Sequence, residues 1–367
     1  MAKPPFRAEH VGSLLRPKEL TTAFRQHNAG EIDDDAFTEA QDKAIAEVVK
    51  RQQDAGLQVV TDGEFRRGSY WGHLIGPVSG LSVREAEFKF HDDCGDEQSF
   101  IAAHVDGKVS REKGFSTHEF TFLKSVASTT PKLTMPSLPT FHFYRPVEGI
   151  DKLVYETPRH FFQDFAEVFR QEIAELADLG ASYIQMDEVP LAMLCDPDIQ
   201  AQVKTVGVDV DDLIDVYIDA INDAVGSRPT GMTCGLHLCR GNFKGKYLSQ
   251  GGYEPVAERL FNDLQVDAFF LEYDTDRAGD FTPLRQVPDD KHIVLGIVSS
   301  KLSELESVEN LSRRIDEAAK YVPLERLSVS PQCGFASAVS GNFITPEMQQ
   351  AKLSLVVETA MRVWGEC

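Results

Sequence analysis

Short apolar runs alternate with longer amphipathic stretches along nearly the whole chain. Residues 10–12, 57–61, 133–135, 182–186, 230–237, 266–271, 292–297 and 326–329 read as eight buried strands. Between them, apolar residues recur at helical spacing over 34–55, 159–179, 210–225, 255–264, 303–321 and 346–363. Ser303 stands ahead of Glu304 and Glu306 as a helix cap, and Gly56 and Gly180 fall where the first two helices should stop. Eight strands interleaved with helices predict an α/β fold, a (β/α)8 TIM barrel, with a doubly wound sheet as the other arrangement. No short repeat, low-complexity tract or Pro/Gly-rich linker interrupts the pattern, so residues 1–367 read as one domain.

Residues 70–125 depart from it. Alternating stretches at 87–91 and 100–105, with Asp106-Gly107 as a turn, carry hairpin chemistry. They predict a β-rich insertion after strand two, serving as a lid or a subunit contact.

Charge narrows the function. A net charge of −21 leaves no basic stripe for nucleic acid and nothing to hold an anionic lipid surface. The start, Met1-Ala2-Lys3-Pro4-Pro5-Phe6-Arg7, lacks the apolar core of a signal peptide, and no apolar run reaches transmembrane length. The expectation is a cytoplasmic protein. Its six cysteines, without C-x-x-C pairs, then read as free thiols or metal ligands.

The candidate chemistry lies at strand ends. In Gly235-Leu236-His237-Leu238-Cys239, side chains of a strand alternate faces, so His237 and Cys239 point the same way. One imidazole and one thiol there read as half of a zinc site, with Glu272 and Cys333 as the other candidates. Cys234 has the opposite parity and should face the helices. Asp187 with Glu188, Asp62-Gly63-Glu64 and Gly12-Ser13 also fall at strand ends, where barrel enzymes keep their chemistry.

Five spaced motifs carry a resemblance over nearly the whole chain: Glu9-His10-Val11-Gly12-Ser13-Leu14-Leu15-Arg16-Pro17, Thr61-Asp62-Gly63-Glu64-Phe65-Arg66-Arg67, Gln185-Met186-Asp187-Glu188, Gly235-Leu236-His237-Leu238-Cys239 and Ser330-Pro331-Gln332-Cys333-Gly334. Together they resemble the cobalamin-independent methionine synthase family, especially its short, single-barrel members. The resemblance implies a zinc-containing barrel that moves a methyl group onto homocysteine sulfur. It implies His237, Cys239, Glu272 and Cys333 as Zn2+ ligands, Val11-Gly12-Ser13 as the holder of the amino acid's carboxylate, and Glu64 and Asp187 as holders of its ammonium. Two departures stand out. The full-length enzymes carry a second, N-terminal barrel that helps bind folate, for which this chain has no room. Val298 stands where the family has a histidine implicated in protonating the departing folate. The resemblance therefore leaves the methyl donor unidentified among folate, methylcobalamin, a corrinoid protein or another small compound.

At neutral pH only about a few per cent of an alkyl thiol is thiolate. Zinc binding removes that proton and leaves a nucleophilic sulfur. Glu272, as the oxygen ligand, is the one expected to yield to substrate sulfur, and Asp187 serves catalysis by positioning. The short members are also similar to epoxyalkane:coenzyme M transferase, for which Arg16, Arg66, Arg67 and Lys301 offer cations to a sulfonate. A non-catalytic metal-binding barrel and a metal-free barrel of the uroporphyrinogen decarboxylase kind are the remaining readings, and homo-oligomerisation is open.

Overall fold

Helices and strands follow one another through residues 4–367, which the computed structural model describes; residues 1–3 lie outside them. Helices α1 (Lys18–Asn28) and α2 (Asp34–Asp54) precede the short strand β1 (Val59–Val60). An antiparallel segment follows: β2 (Val78–Glu85), β3 (Phe90–His91), β4 (Glu97–Gln98) and β5 (Ile101–Arg111), closed by α3 (Thr117–Val126). Then come β6 (Thr130–Pro131), β7 (Leu133–Pro136), α4 (Pro158–Asp178), β8 (Tyr183–Glu188), α5 (Pro190–Met193), α6 (Pro197–Thr205) and α7 (Val210–Val225). The last third is β9 (Thr233–Leu238), α8 (Ala257–Asp263), β10 (Ala268–Glu272), β11 (His292–Val298), α9 (Val308–Ala318), β12 (Leu327–Pro331) and α10 (Pro346–Trp364).

Strands β7 to β12 form one six-stranded parallel sheet in sequence order. Every residue of β8, β10 and β12 is buried, as a sheet covered on both faces requires. Beyond its first edge, β1 pairs in parallel with β6, and Lys132 N–H extends that pairing to the Val60 carbonyl at 2.8 Å. Beyond the other, Ala8 bridges Val329 in parallel. The strand expected at 10–12 is therefore displaced to a single bridge at Ala8. Gly12, at a φ of 154°, turns the chain out of strand geometry there.

Parity sorts the side chains of the sheet. Ile184, Phe269 and Leu271 join the large core shared with the helices, whereas Tyr183, Ala268 and Phe270 form a small separate cluster with Phe6, Val59 and Val294. The second set lies on the other face. Tyr183, Gln185 and Asp187 share that face, as do Phe270 and Glu272. The register sets Asp187 beside His237 and His237 beside Phe270. One face thus runs from apolar to ionisable toward the carboxyl ends of its strands. Below them Lys132, with no exposed surface, pairs with Glu9 at 3.1 Å, and Tyr183 Oη donates to the same carboxylate at 2.9 Å.

Two local readings need correction. Asp106-Gly107 is not a hairpin turn but lies inside β5, which pairs with β2 across a register shift between Ser79 and Leu81. A Cβ on Gly80 would sit 2.4 Å from the Gly107 carbonyl oxygen, so the dipeptide marks close backbone approach at a bulge. The α9 cap is Ser307, which accepts from Asn310 N–H, rather than Ser303. Gly56 and Gly180 do follow the caps of α2 and α4 with positive φ. No helix among the described residues is long and apolar enough to cross a membrane.

Burial holds His10 at about 3, helped by Lys132, and His142 at about 4. Both stay neutral in the fold but titrate near 6.5 once unfolded. The unfolded state then binds more protons between those values, so their stabilisation is complete above pH 6.5 and is lost as pH falls toward 4. Urea unfolding should show a falling midpoint over that window, with His142 accounting for about 3 kcal/mol. His142→Gln should flatten the slope; an unchanged slope would contradict the assignment.

Candidate metal and thiol site

His237 ends the inward series of β9, and Cys239 follows one residue past the strand. Cys333 stands two residues beyond β12. The strands bring a ligand atom of each within 4.8 Å of the others. The Cys333 thiol donates to Cys239 Sγ at 3.5 Å. That hydrogen bond holds the Cys239 thiol well below its usual range, against burial, and holds Cys333 well above it. Burial works to keep His237 neutral, but Cys239, Asp187 and Glu272 together outweigh it and raise the imidazole. Neither ring nitrogen of His237 has a hydrogen-bond partner, although both are buried.

An orphaned buried imidazole between two sulfurs fits a cation. Leaving a buried polar group unmade costs about 1–3 kcal/mol, and a soft N/S donor set is what Zn2+ accepts. Cys234, buried three residues before His237 and on the opposite face of β9, is outside the group.

Glu272 is also outside it. Its Oε2 accepts from the Arg240 N–H at 2.8 Å, one residue past Cys239. Its Oε1 accepts from Arg277 at 2.9 Å and lies 3.5 Å from Lys301 Nζ. Burial works to raise this carboxyl, yet Lys301, Arg240 and Arg277 overcome it and hold it at about 2. Glu272 is therefore an anion facing cations, on the flank of the three ligand atoms.

Val11, Ser13, Glu64 and Asp187 line the same cavity of about 60 Å³ as His237 and the two cysteines. The Val11-Gly12-Ser13 turn is pinned by its carbonyls: Gln185 donates to Val11 O and Thr61 to Gly12 O, each at 2.7 Å. Gly12 has no room for a side chain, since a Cβ would lie 2.5 Å from Thr134 Cγ2. Thr134 in turn donates to Glu64 Oε1 at 2.9 Å. Glu64 adopts a φ of 60°, unusual for a residue with a side chain, and its buried Oε2 has no partner. Burial raises Glu64 against the pull of Arg67, and burial with the charge of Glu64 raises Asp187 to about 7. Two buried acids lifted in this way are a site short of a cation.

The other cations singled out in the sequence are spent within the protein. Arg67 clasps Glu119 at 2.6 Å, Arg16 donates to the carbonyls of Glu64 and Arg67, and Arg66 pairs with Asp42. Sequence reasoning missed Tyr70, Phe90 and Tyr144 on the cavity wall. It also missed the duty of Asn242, whose amide donates to Gly334 O at 3.0 Å and ties the loop after β9 to that of Cys333. Asn242 lies three residues past Cys239, which was its only signal.

A family model described as cobalamin-independent synthase, catalytic domain, matches residues 6–360. The uncharacterized protein YxjH of Bacillus subtilis (strain 168) is 39% identical, covering 99% of this chain and 96% of that one. A methionine synthase of Sulfolobus acidocaldarius is 29% identical over 97% of this chain and 93% of its own. Among solved structures, a candidate vitamin-B12 independent methionine synthase from Listeria monocytogenes matches with a TM-score of 0.79 at 31% identity, covering all of both chains. A B12-independent methionine synthase from Shewanella sp. W3-18-1, in complex with selenomethionine, shares the fold with a TM-score of 0.76 at 18% identity over 98% of each.

Fold, site and relatives define an α/β methyltransferase with a cavity that joins a metal-fitting cluster to two carboxylates. The chain belongs to the cobalamin-independent methionine synthase family.

The cluster geometry makes a direct prediction. Plasma emission spectroscopy of the purified protein should find stoichiometric metal, and Cys239→Ser, Cys333→Ser and His237→Ala should each lose it. Cys234→Ser should keep it, and equal loss in all four would show that the cluster is not the site.

Proposed function

We propose that the protein is a zinc-dependent thiol methyltransferase that forms methionine from homocysteine. The observation that carries the reading is the imidazole of His237, buried without a partner between two sulfurs in the cavity that also holds Glu64 and Asp187. His237, Cys239 and Cys333 would hold Zn2+, with Glu272 as a fourth and exchangeable ligand. When bound, the ion supplies thiol deprotonation at neutral pH while leaving the sulfur nucleophilic.

Everything else is positioning by the chain itself. Glu64 and Asp187 take the ammonium of the amino acid, which relieves the burial that raises both acids. The Val11-Gly12-Ser13 turn, with its carbonyls engaged elsewhere, receives the carboxylate. A larger cavity of about 500 Å³ shares Tyr70, Phe90, Tyr144 and Ser337 with the first and gives the methyl donor a place beside it. Its walls carry Tyr70, Trp71, Phe90, Phe100 and Tyr144, an aromatic surface for the donor to pack against. Support for a closed eight-stranded barrel comes from the β1–β6 pair and the Ala8–Val329 bridge, which lie beyond the two edges of the six-stranded sheet. The small cluster drawn from both of these edges and from the sheet between them fits a layer inside such a barrel.

Coenzyme M offers a sulfonate where homocysteine offers an ammonium, and gives Glu64 and Asp187 nothing to hold. Calorimetric titration should therefore show homocysteine binding weakened about 10- to 100-fold by Glu64→Gln or Asp187→Asn, the worth of a charge-assisted hydrogen bond. Coenzyme M affinity should be weak and indifferent to both. Tighter binding of coenzyme M than of homocysteine would overturn the assignment.

A further inference from the structure

The carboxylate of Glu272 has no exposed surface, yet its oxygens are fully engaged away from the three clustered ligand atoms. Arg277 Nη2 lies 2.9 Å from Oε1 and Lys301 Nζ 3.5 Å, while the Arg240 N–H holds Oε2 at 2.8 Å. Both cations come from outside the strands that carry the cluster, Arg277 from a short 3-10 turn (Asp276–Ala278) after β10 and Lys301 from the loop after β11. Each is itself held. The Arg277 guanidinium lies 4.4 Å over the Tyr247 ring, and its carbonyl accepts from Gly251 N–H. The Lys301 N–H reaches Ser299 Oγ at 3.3 Å, and its side chain is only 5% exposed.

Two partly buried cations facing one buried carboxylate make a second stable position for it. Moving Glu272 onto a dication would strip a partner from Arg277 and Lys301 in a low-dielectric setting, where an unpaired charge is costly. The two positions are therefore in competition.

We propose that Arg277 and Lys301 are positioning residues that dock Glu272 off the metal, so that the fourth ligand place is open to the substrate sulfur. The proposal rests on the zinc-thiol reading above and adds to it what receives the displaced carboxylate. Glu272 shuttles between dock and metal without a change in its charge, and no bond to carbon is made or broken. Weakening the dock leaves Glu272 on the metal; the metal is then held more tightly and the incoming thiol less well. This sign separates docking from a merely structural ion pair, whose loss would loosen the metal.

The test uses the full chain in wild-type form and as Arg277→Gln, Lys301→Met and Arg277→Lys, each with Glu272 and with Glu272→Gln. Zinc affinity is read by chelator competition, and homocysteine affinity by absorption of the Co2+-loaded protein. Arg277→Gln and Lys301→Met should each raise zinc affinity and lower homocysteine affinity by about tenfold, the scale of changes around a metal's ligands. Arg277→Lys, which keeps the charge, should stay near wild type. In the Glu272→Gln background neither substitution should matter, because the carboxylate they dock is gone. Unchanged or lowered zinc affinity with Glu272 present, or equal effects in both backgrounds, would overturn the dock. A wild-type protein that takes up no zinc, or whose cobalt spectrum ignores homocysteine, would instead overturn the proposed function.

Discussion

A buried imidazole with no hydrogen-bond partner, set against two sulfurs that share a proton, is the constraint on which this structure turns. Such a group destabilises a fold unless something satisfies it. The three side chains reach each other although β10 and β11 stand between β9 and β12, so the sheet must curl to bring those two strand ends together. Sheet register and ligand geometry are thus one problem. A slip of one residue in β9 would turn His237 toward the helices and bring Cys234 inward.

Charge is layered along the inward face. The Lys132–Glu9 pair packs against the apolar cluster of Tyr183, Phe270 and Val294, with Lys132 Nζ 4.6 Å from the centroid of the Phe270 ring, and the acids and the metal-fitting cluster lie toward the carboxyl ends of the strands. Arg67 bound to Glu119, and Arg277 with Lys301 against Glu272, set positive charge on the flanks of the cavity. Glu64 and Asp187 are left without enough of it. A substrate bearing an ammonium and a thiol supplies the cation to the acids and the sulfur to the metal position. The unsatisfied groups of the site are therefore complementary to one kind of molecule.

Much of this was legible in the residues because it follows from periodicity. The paired placement of His237 and Cys239, the exclusion of Cys234 and the inward aim of Asp187 are consequences of strand parity alone. The helices at 34–54, 158–178 and 210–225 follow from their apolar spacing, and the structure places them within a residue or two of the expectation. What parity cannot supply is competition between partners. Glu272 ends β10 on the correct face, but Arg277 and Lys301, arriving from a three-residue 3-10 turn and a loop too short to show a period, decide where its oxygens lie. The Asp106-Gly107 dipeptide was misread for a similar reason. Its turn chemistry is real, but an eleven-residue strand with a bulge opposite Gly80 absorbs it. At Gly12 a run of strand-like residues yields to the close approach of Thr134. Tyr70 and Tyr144 reached the site through long irregular connections that carry no pattern to read.

The account is tested most directly by zinc-edge X-ray absorption of the holoprotein with and without homocysteine. It requires a nitrogen and two sulfurs around the metal in the free protein and one further sulfur when the thiol is added, matching His237, Cys239, Cys333 and substrate. A shell with fewer than two sulfurs, or one that homocysteine leaves unaltered, would contradict it.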